Sequence, residues 1–210
     1  YASLFEQQMN FFMQGMTYEI EFVPVDTTQQ KVVYEDHSVT VETVPLRHRV
    51  PCCGYIFREN PTLPHIRRDM IDYYGIPLSQ INNIKNGADW TTPEGDIVPN
   101  SRLVEPADAP RSYAYCSDTC YLPDLYERVK DVTVLYHEST YTSENEDRAK
   151  IYYHSTARQA ALVAQKAGAG RLLLGHYSAR YNNENVLLEE AKAVFPESYL
   201  AQEGMVFEVK

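Results

Sequence analysis

Apolar side chains recur along the chain in changing patterns, and each pattern predicts a different element. Between residues 3 and 16, Leu4, Phe5, Phe11, Phe12 and Met13 are spaced among polar residues as on one face of an amphipathic helix, with Gly15 at its end. Residues 18–23 alternate, 31–34 are rich in β-forming side chains, 38–44 alternate again and 52–57 add a short run, which predicts an antiparallel meander. Beyond Pro110 the pattern becomes one of alternating helix and strand. Strands are predicted at 112–116, 132–136, 171–175 and 205–209, and helices at 122–129, 155–167 and 184–194, the second capped by Ser155 or Thr156. This is the pattern of an α/β half-sandwich, without internal repeats.

Between these regions, residues 60–110 hold seven of the twelve prolines, with Pro51 just before, and Gly75, Gly87 and Gly95 fall among them. Such punctuation predicts a helix at 66–74 and otherwise a projecting loop: an insertion over 60–105 in a domain spanning 1–210.

At 210 residues with 44% apolar content, one domain with a substantial core is expected. No apolar run is long enough for a membrane helix. Four cysteines, two adjacent (Cys52, Cys53) and two four apart (Cys116, Cys120), suit neither a disulfide framework nor a complete zinc site. They fit free thiols in a reducing cytoplasm. A net charge of -10 excludes nucleic-acid binding by the whole surface, but leaves room for a local basic patch, for which residues 65–68 and Lys85 are candidates.

Four of the six histidines stand at the edges of predicted elements: His48, His137 and His176 end apolar strand-like runs, and His154 precedes the helix opened by Ser155 and Thr156. Asp118 likewise follows the strand ending at Cys116. In α/β sheets chemistry gathers beyond the carboxyl ends of strands, so these residues are expected on one rim. Imidazole and carboxylate together suit zinc, and a shared carboxylate can bridge two ions.

The strings His137-Glu138-Ser139-Thr140, Tyr153-His154-Ser155-Thr156-Ala157-Arg158-Gln159-Ala160-Ala161 and Gly175-His176-Tyr177-Ser178-Ala179-Arg180-Tyr181 resemble, in order, three motifs of the ribonuclease Z family. His48 ahead of Gly54-Tyr55, and Ser117-Asp118-Thr119, resemble two more. The resemblance implies a metallo-β-lactamase-like αββα sandwich, of which this chain is the C-terminal part, with an inserted tRNA-binding arm at 60–105. It implies zinc-dependent cleavage of precursor tRNA, two Zn2+ ions per complete site, and a homodimer. His48 and His176 would each ligate one ion with Asp118 between them, and His154, oriented by Glu138, would act at the scissile phosphate. Arg180 would support the site or serve an ordinary salt bridge.

Four departures stand out. Ser117 replaces the family's usual glycine, Gly175 its usual threonine, and Ile76-Pro77 the Gly-Pro pair of its arm. More consequentially, no His-x-His-x-Asp-His sequence occurs in the 210 residues. The family uses that motif for ligands to both metals. Three ligands are too few for two zinc ions, so the chain is expected to be inactive alone. It is either a portion of a longer protein, prone to self-association, or a truncated relative that keeps the fold as a binding or dimerisation module, with another metallo-β-lactamase phosphodiesterase as the competing enzymatic reading.

Overall fold

The computed structural model describes residues 2–12 and 17–210. Helix α1 (Ala2–Phe12) precedes the strands β1 (Val32–Glu35), β2 (Val39–Pro45) and β3 (Cys53–Glu59). The region that follows holds β4 (His65–Ile66), α2 (Arg68–Tyr74), α3 (Leu78–Lys85), β5 (Trp90–Thr91), β6 (Ile97–Val98), α4 (Asn100–Leu103) and β7 (Val104–Glu105). The last part runs β8 (Ser112–Cys116), α5 (Leu125–Arg128), β9 (Val134–Glu138), α6 (Glu146–Tyr152), α7 (Ala157–Ala167), β10 (Arg171–Gly175), α8 (Asn185–Lys192) and β11 (Ser198–Leu200).

Seven strands form one sheet in the order β1-β2-β3-β8-β9-β10-β11. The pairs from β1 to β8 are antiparallel and those from β8 to β11 parallel, so the predicted meander and the α/β half share a single sheet. One face is covered by α5, α7 and α8. Leu135, Leu172 and Leu174 of the sheet pack there against Leu125, Leu187 and the alanines of α7, whose small side chains let helix and sheet approach closely. Thr156 and Gln159 close a capping box at the start of α7, as the sequence suggested.

The opposite face is open. Tyr55, Tyr115, Tyr136, Leu173 and Tyr199 are successive register partners across five strands. Tyr115 and Tyr136 stack with ring centroids 4.6 Å apart, yet Tyr115 remains 40% exposed. Among the described residues the sheet therefore has helices packed on one side, the half-sandwich expected from the sequence.

Two predicted strands do not form. Residues 18–23 alternate in sequence but pair with no strand; Phe22 instead stacks near Phe5 of α1. Residues 205–209 are held by side chains rather than a ladder: the Arg171 guanidinium lies over the Phe207 ring and donates to the carbonyls of Glu208 and Lys210. The three-residue β11 takes the sheet edge in their place. The predicted first helix is found as α1, while Met13, Gly15 and Met16 lie outside the described residues.

Residues 66–104 are more ordered than a loop. Ile76, Ile84, Val98 and Leu103 form a second buried cluster, with Trp90, Met70 and Ile66 packed around it. Its elements are two to eight residues long, and proline and glycine recur at the turns between them.

Candidate functional site

The rim expected from the sequence exists because β2, β8, β9 and β10 all run in one direction. β2 is antiparallel to β3, which is antiparallel to β8, and β8, β9 and β10 are mutually parallel. Their carboxyl ends carry His48, Asp118, Glu138 and His176, and His154 reaches the same place from the connection between α6 and α7. The His154 ring is flanked by His48 and His176, each with centroid 5.1 Å away.

Asp118 and His176 both have left-handed backbones, φ 55° and 57°, and so does Tyr153 at φ 61°. Non-glycine residues rarely adopt this conformation, and three of the four among the described residues border this rim. The sharp turns bring Asp118 Oδ1 to 2.8 Å from His176 Nε2.

Glu138 is the buried hub. Its Oε1 accepts from the Thr119 backbone N–H at 2.7 Å and lies 2.9 Å from His154 Nδ1. Its Oε2 accepts from the Thr140 hydroxyl at 2.6 Å and the Ser155 N–H at 2.9 Å. Burial raises the Glu138 carboxyl, but the hydrogen bonds from His154, Thr140 and Ser155 outweigh it, and the net shift is downward. His154 moves the other way, raised first by its bond to Glu138 against the opposing effect of burial.

Hydrogen-bond counting then sets the His176 tautomer. The Thr140 hydroxyl has one proton, and the ionised, acceptor-only Glu138 takes it. His176 Nδ1, 2.9 Å from the same hydroxyl oxygen, must therefore be the donor, which leaves Nε2 as the ring's ligand atom. His48 follows the same logic: its Nδ1 donates to the Tyr153 carbonyl at 3.0 Å, leaving Nε2 free.

Ligand atoms of Asp118, Glu138, His154 and His176 lie within 4.8 Å of one another. Glu138 and His154 are bonded to each other, which leaves Asp118 and His176 as the free donors of this group; His48 lies outside it, with its ring beside that of His154. Two imidazoles prepared at Nε2 and a carboxylate fit zinc chemically, although three side chains do not complete two tetrahedral shells.

The other histidine expected on the rim is elsewhere. His137 shares register with Cys116 and Leu174, both in the helix-covered core, and strand alternation turns it away from Glu138. It is fully buried, its Nδ1 2.7 Å from the Glu138 carbonyl oxygen, and burial lowers its pKa below the ordinary histidine value. Cys116 is likewise a core thiol, pushed up to about 12 by burial. Arg180 is exposed and makes no ion pair among the described residues. Within residues 65–68, Arg67 is paired with Asp69 and His65 lies beside Asp108, while Arg68 is exposed; neither Arg68 nor Lys85 is in an ion pair among the described residues. Thr119 and Thr140, which build the hub, escaped sequence reasoning because only their contacts distinguish them from other threonines.

No family model matches the chain. Among curated relatives, ribonuclease Z of Phocaeicola vulgatus is 47% identical over 207 residues, covering 99% of this chain and 67% of the relative. The chain belongs to the ribonuclease Z family. Ribonuclease Z of Bacteroides fragilis strain YCH46 is 49% identical over 202 residues, 96% of this chain and 66% of the relative. The chain thus spans about two thirds of the length of the curated relatives it matches. Among solved structures, the short form of human tRNase Z superposes with a TM-score of 0.58 at 18% identity, covering all of this chain and 64% of the other. A metallo-β-lactamase fold protein from Bacillus subtilis gives 0.57 at 17%, covering 97% and 62%. At these identities the superpositions establish the fold, that of the metallo-β-lactamases. Among the described residues no helix is long and apolar enough to cross a membrane.

Proposed function

We propose that the protein carrying this chain is a metal-dependent endoribonuclease that trims the 3′ end of precursor tRNA in the cytoplasm, with zinc as its metal. The observation that carries this reading is the Glu138–His154 pair set between His48 and His176 on the strand rim. His48, Asp118 and His176 would hold metal, and the missing ligands would come from the segment by which the relatives exceed this chain. When bound, the metal ions would supply Lewis-acid stabilisation of the phosphate and an activated water. His154, with Nδ1 occupied by Glu138, holds a proton at Nε2 for the departing 3′-oxygen. Thr140 and the Tyr153 carbonyl orient the two metal-facing imidazoles. The compact unit at 66–104 would be the tRNA-binding arm, and the family resemblance implies a homodimer.

The open face lined by Tyr115 and Tyr199 supports the idea that the additional length of the relatives forms the second layer of the sandwich. It equally suits a non-catalytic assembly module, the second reading. The deciding experiment is a precursor-tRNA cleavage assay with added zinc on three proteins: this chain, the chain joined to the N-terminal third of a relative, and the joined form with His154→Ala. Cleavage by the joined wild-type form alone is expected. No cleavage by any form would favour the assembly module.

A further inference from the structure

In a chain of net charge -10, the cations without partners are informative, and three of them converge beside the site. Arg47 and Arg49 follow β2, and Arg148 lies on α6. The Arg49 and Arg148 guanidiniums stand over the Tyr152 ring at 5.2 and 6.0 Å, and that of Arg47 over the Tyr153 ring at 5.9 Å. All three arginines are exposed, and none is in an ion pair among the described residues. Arg58, Arg67, Arg111 and Arg128, by contrast, each have a carboxylate partner.

The placement ties this rack to the chemistry. The Tyr153 carbonyl accepts from His48 Nδ1, and Arg47, Glu146, Lys150, Tyr153 and His154 line one cleft. Lys150 is already held by Glu146. The charge of Arg49 also reaches His154, acting against its protonation. A guanidinium resting on an aromatic face is already partly ordered, so it loses less freedom when it binds, and its remaining N–H groups match phosphate oxygens in pairs.

We propose that Arg47, Arg49 and Arg148, racked on Tyr152 and Tyr153, bind the phosphodiester backbone of the RNA strand that extends beyond the scissile phosphate. The inference rests on the ribonuclease Z reading of the site. Contacts of this kind are indifferent to sequence, which suits a 3′ extension that differs from one precursor to the next. The acceptor stem offers the same phosphates, so the experiment must separate the two.

The test uses the complete polypeptide, stripped of metal with a chelator so that binding is read without turnover. Its affinity for a tRNA with a single-stranded 3′ extension and for the mature tRNA is measured over a range of KCl concentrations. The variant Arg47→Gln/Arg49→Gln/Arg148→Gln should bind the extended tRNA about tenfold more weakly, with a log–log salt slope shallower by about two. Mature tRNA should be bound as by wild type. Unchanged affinity and slope would overturn the proposal, and an equal loss for both RNAs would move the contact to the stem. The charge-conserving triple lysine variant should recover most of the slope, and the single exposed change Arg148→Gln gives a smaller loss in the same direction should the triple variant fold poorly. A wild-type protein that binds extended tRNA through these arginines but never cleaves it with zinc would sink the enzymatic reading and leave this one standing.

Discussion

The Tyr136 ring occupies the space that a side chain on residue 175 would need. A β-carbon built on Gly175 falls inside the Tyr136 hydroxyl and the ring carbons next to it. The family's usual threonine at this position would therefore have to displace the tip of the Tyr136 ring, so the two residues are coupled through packing. Tyr136 is stacked on Tyr115, its oxygen is turned toward the His176 backbone amide, and its hydroxyl is pushed up to about 12, by burial first and then by neighbouring charges. Gly175→Thr alone should destabilise the fold by about 1–3 kcal/mol through overpacking. Adding Tyr136→Val should recover most of that loss. Thermal unfolding of the two single variants and the double variant gives the coupling energy, and strict additivity would show that the two positions are independent.

That pair illustrates what a sequence hides. Asp118, Glu138, His154 and His176 were legible because each lies in a short motif at an element boundary, and a sheet with parallel strands collects such boundaries on one rim. His137 has the same local signature and was misplaced, because one step along a strand reverses the side chain and only the register with Cys116 and Leu174 shows which way. The arginine rack joins Arg49 to Arg148 and Tyr152, a contact between segments far apart in sequence that no local pattern announces. The cluster at Ile76, Ile84, Val98 and Leu103 leaves no signature in the sequence because its elements are too short to show periodicity. Residues 18–23 failed in the opposite sense: alternation was present, but a strand also needs a neighbour to pair with.

Glu138 has the greatest predicted effect on stability. It is fully buried and receives bonds from Thr119, Thr140, His154 and Ser155. Glu138→Ala leaves those donors unpaired and should cost about 3–5 kcal/mol, as is usual when one partner of a buried pair is removed. Glu138→Gln keeps the shape but offers an amide N–H2 to groups that themselves donate, and should lie between Ala and wild type. Urea unfolding at neutral pH measures the order, and a Glu138→Ala midpoint equal to wild type would disprove the hub.

The same pair fixes a pH dependence. The folded-state pKa of His154 is raised above its ordinary 6.5, chiefly by the bond to Glu138. Its contribution to stability is thus fully present below the unfolded value and is lost as pH rises through the folded one. His154→Gln should therefore fall furthest below wild type in melting temperature near about pH 5.5, with the gap narrowing toward about pH 8.5. Glu138 is shifted downward, so its contribution is present above 4.5 and vanishes only as pH falls through its lower folded value. A gap that widens on the alkaline side would contradict the assigned ion pair.

Thr140 transmits the state of Glu138 to His176 through one hydroxyl. Its proton goes to the carboxylate, and its oxygen accepts from His176 Nδ1, which leaves Nε2, on the Asp118 side of the ring, as the ligand atom. Thr140→Val is nearly isosteric but removes both bonds, leaving the ring free to flip or to take the other tautomer. Partners of this kind on metal-binding histidines are typically worth about 10- to 100-fold in metal affinity. Competition with a chromophoric chelator, performed on the chain joined to the remaining third of its relatives, should show zinc affinity reduced within that range, while Thr140→Ser stays close to wild type. Equal affinity in the valine variant would mean that His176 is oriented by its left-handed backbone alone.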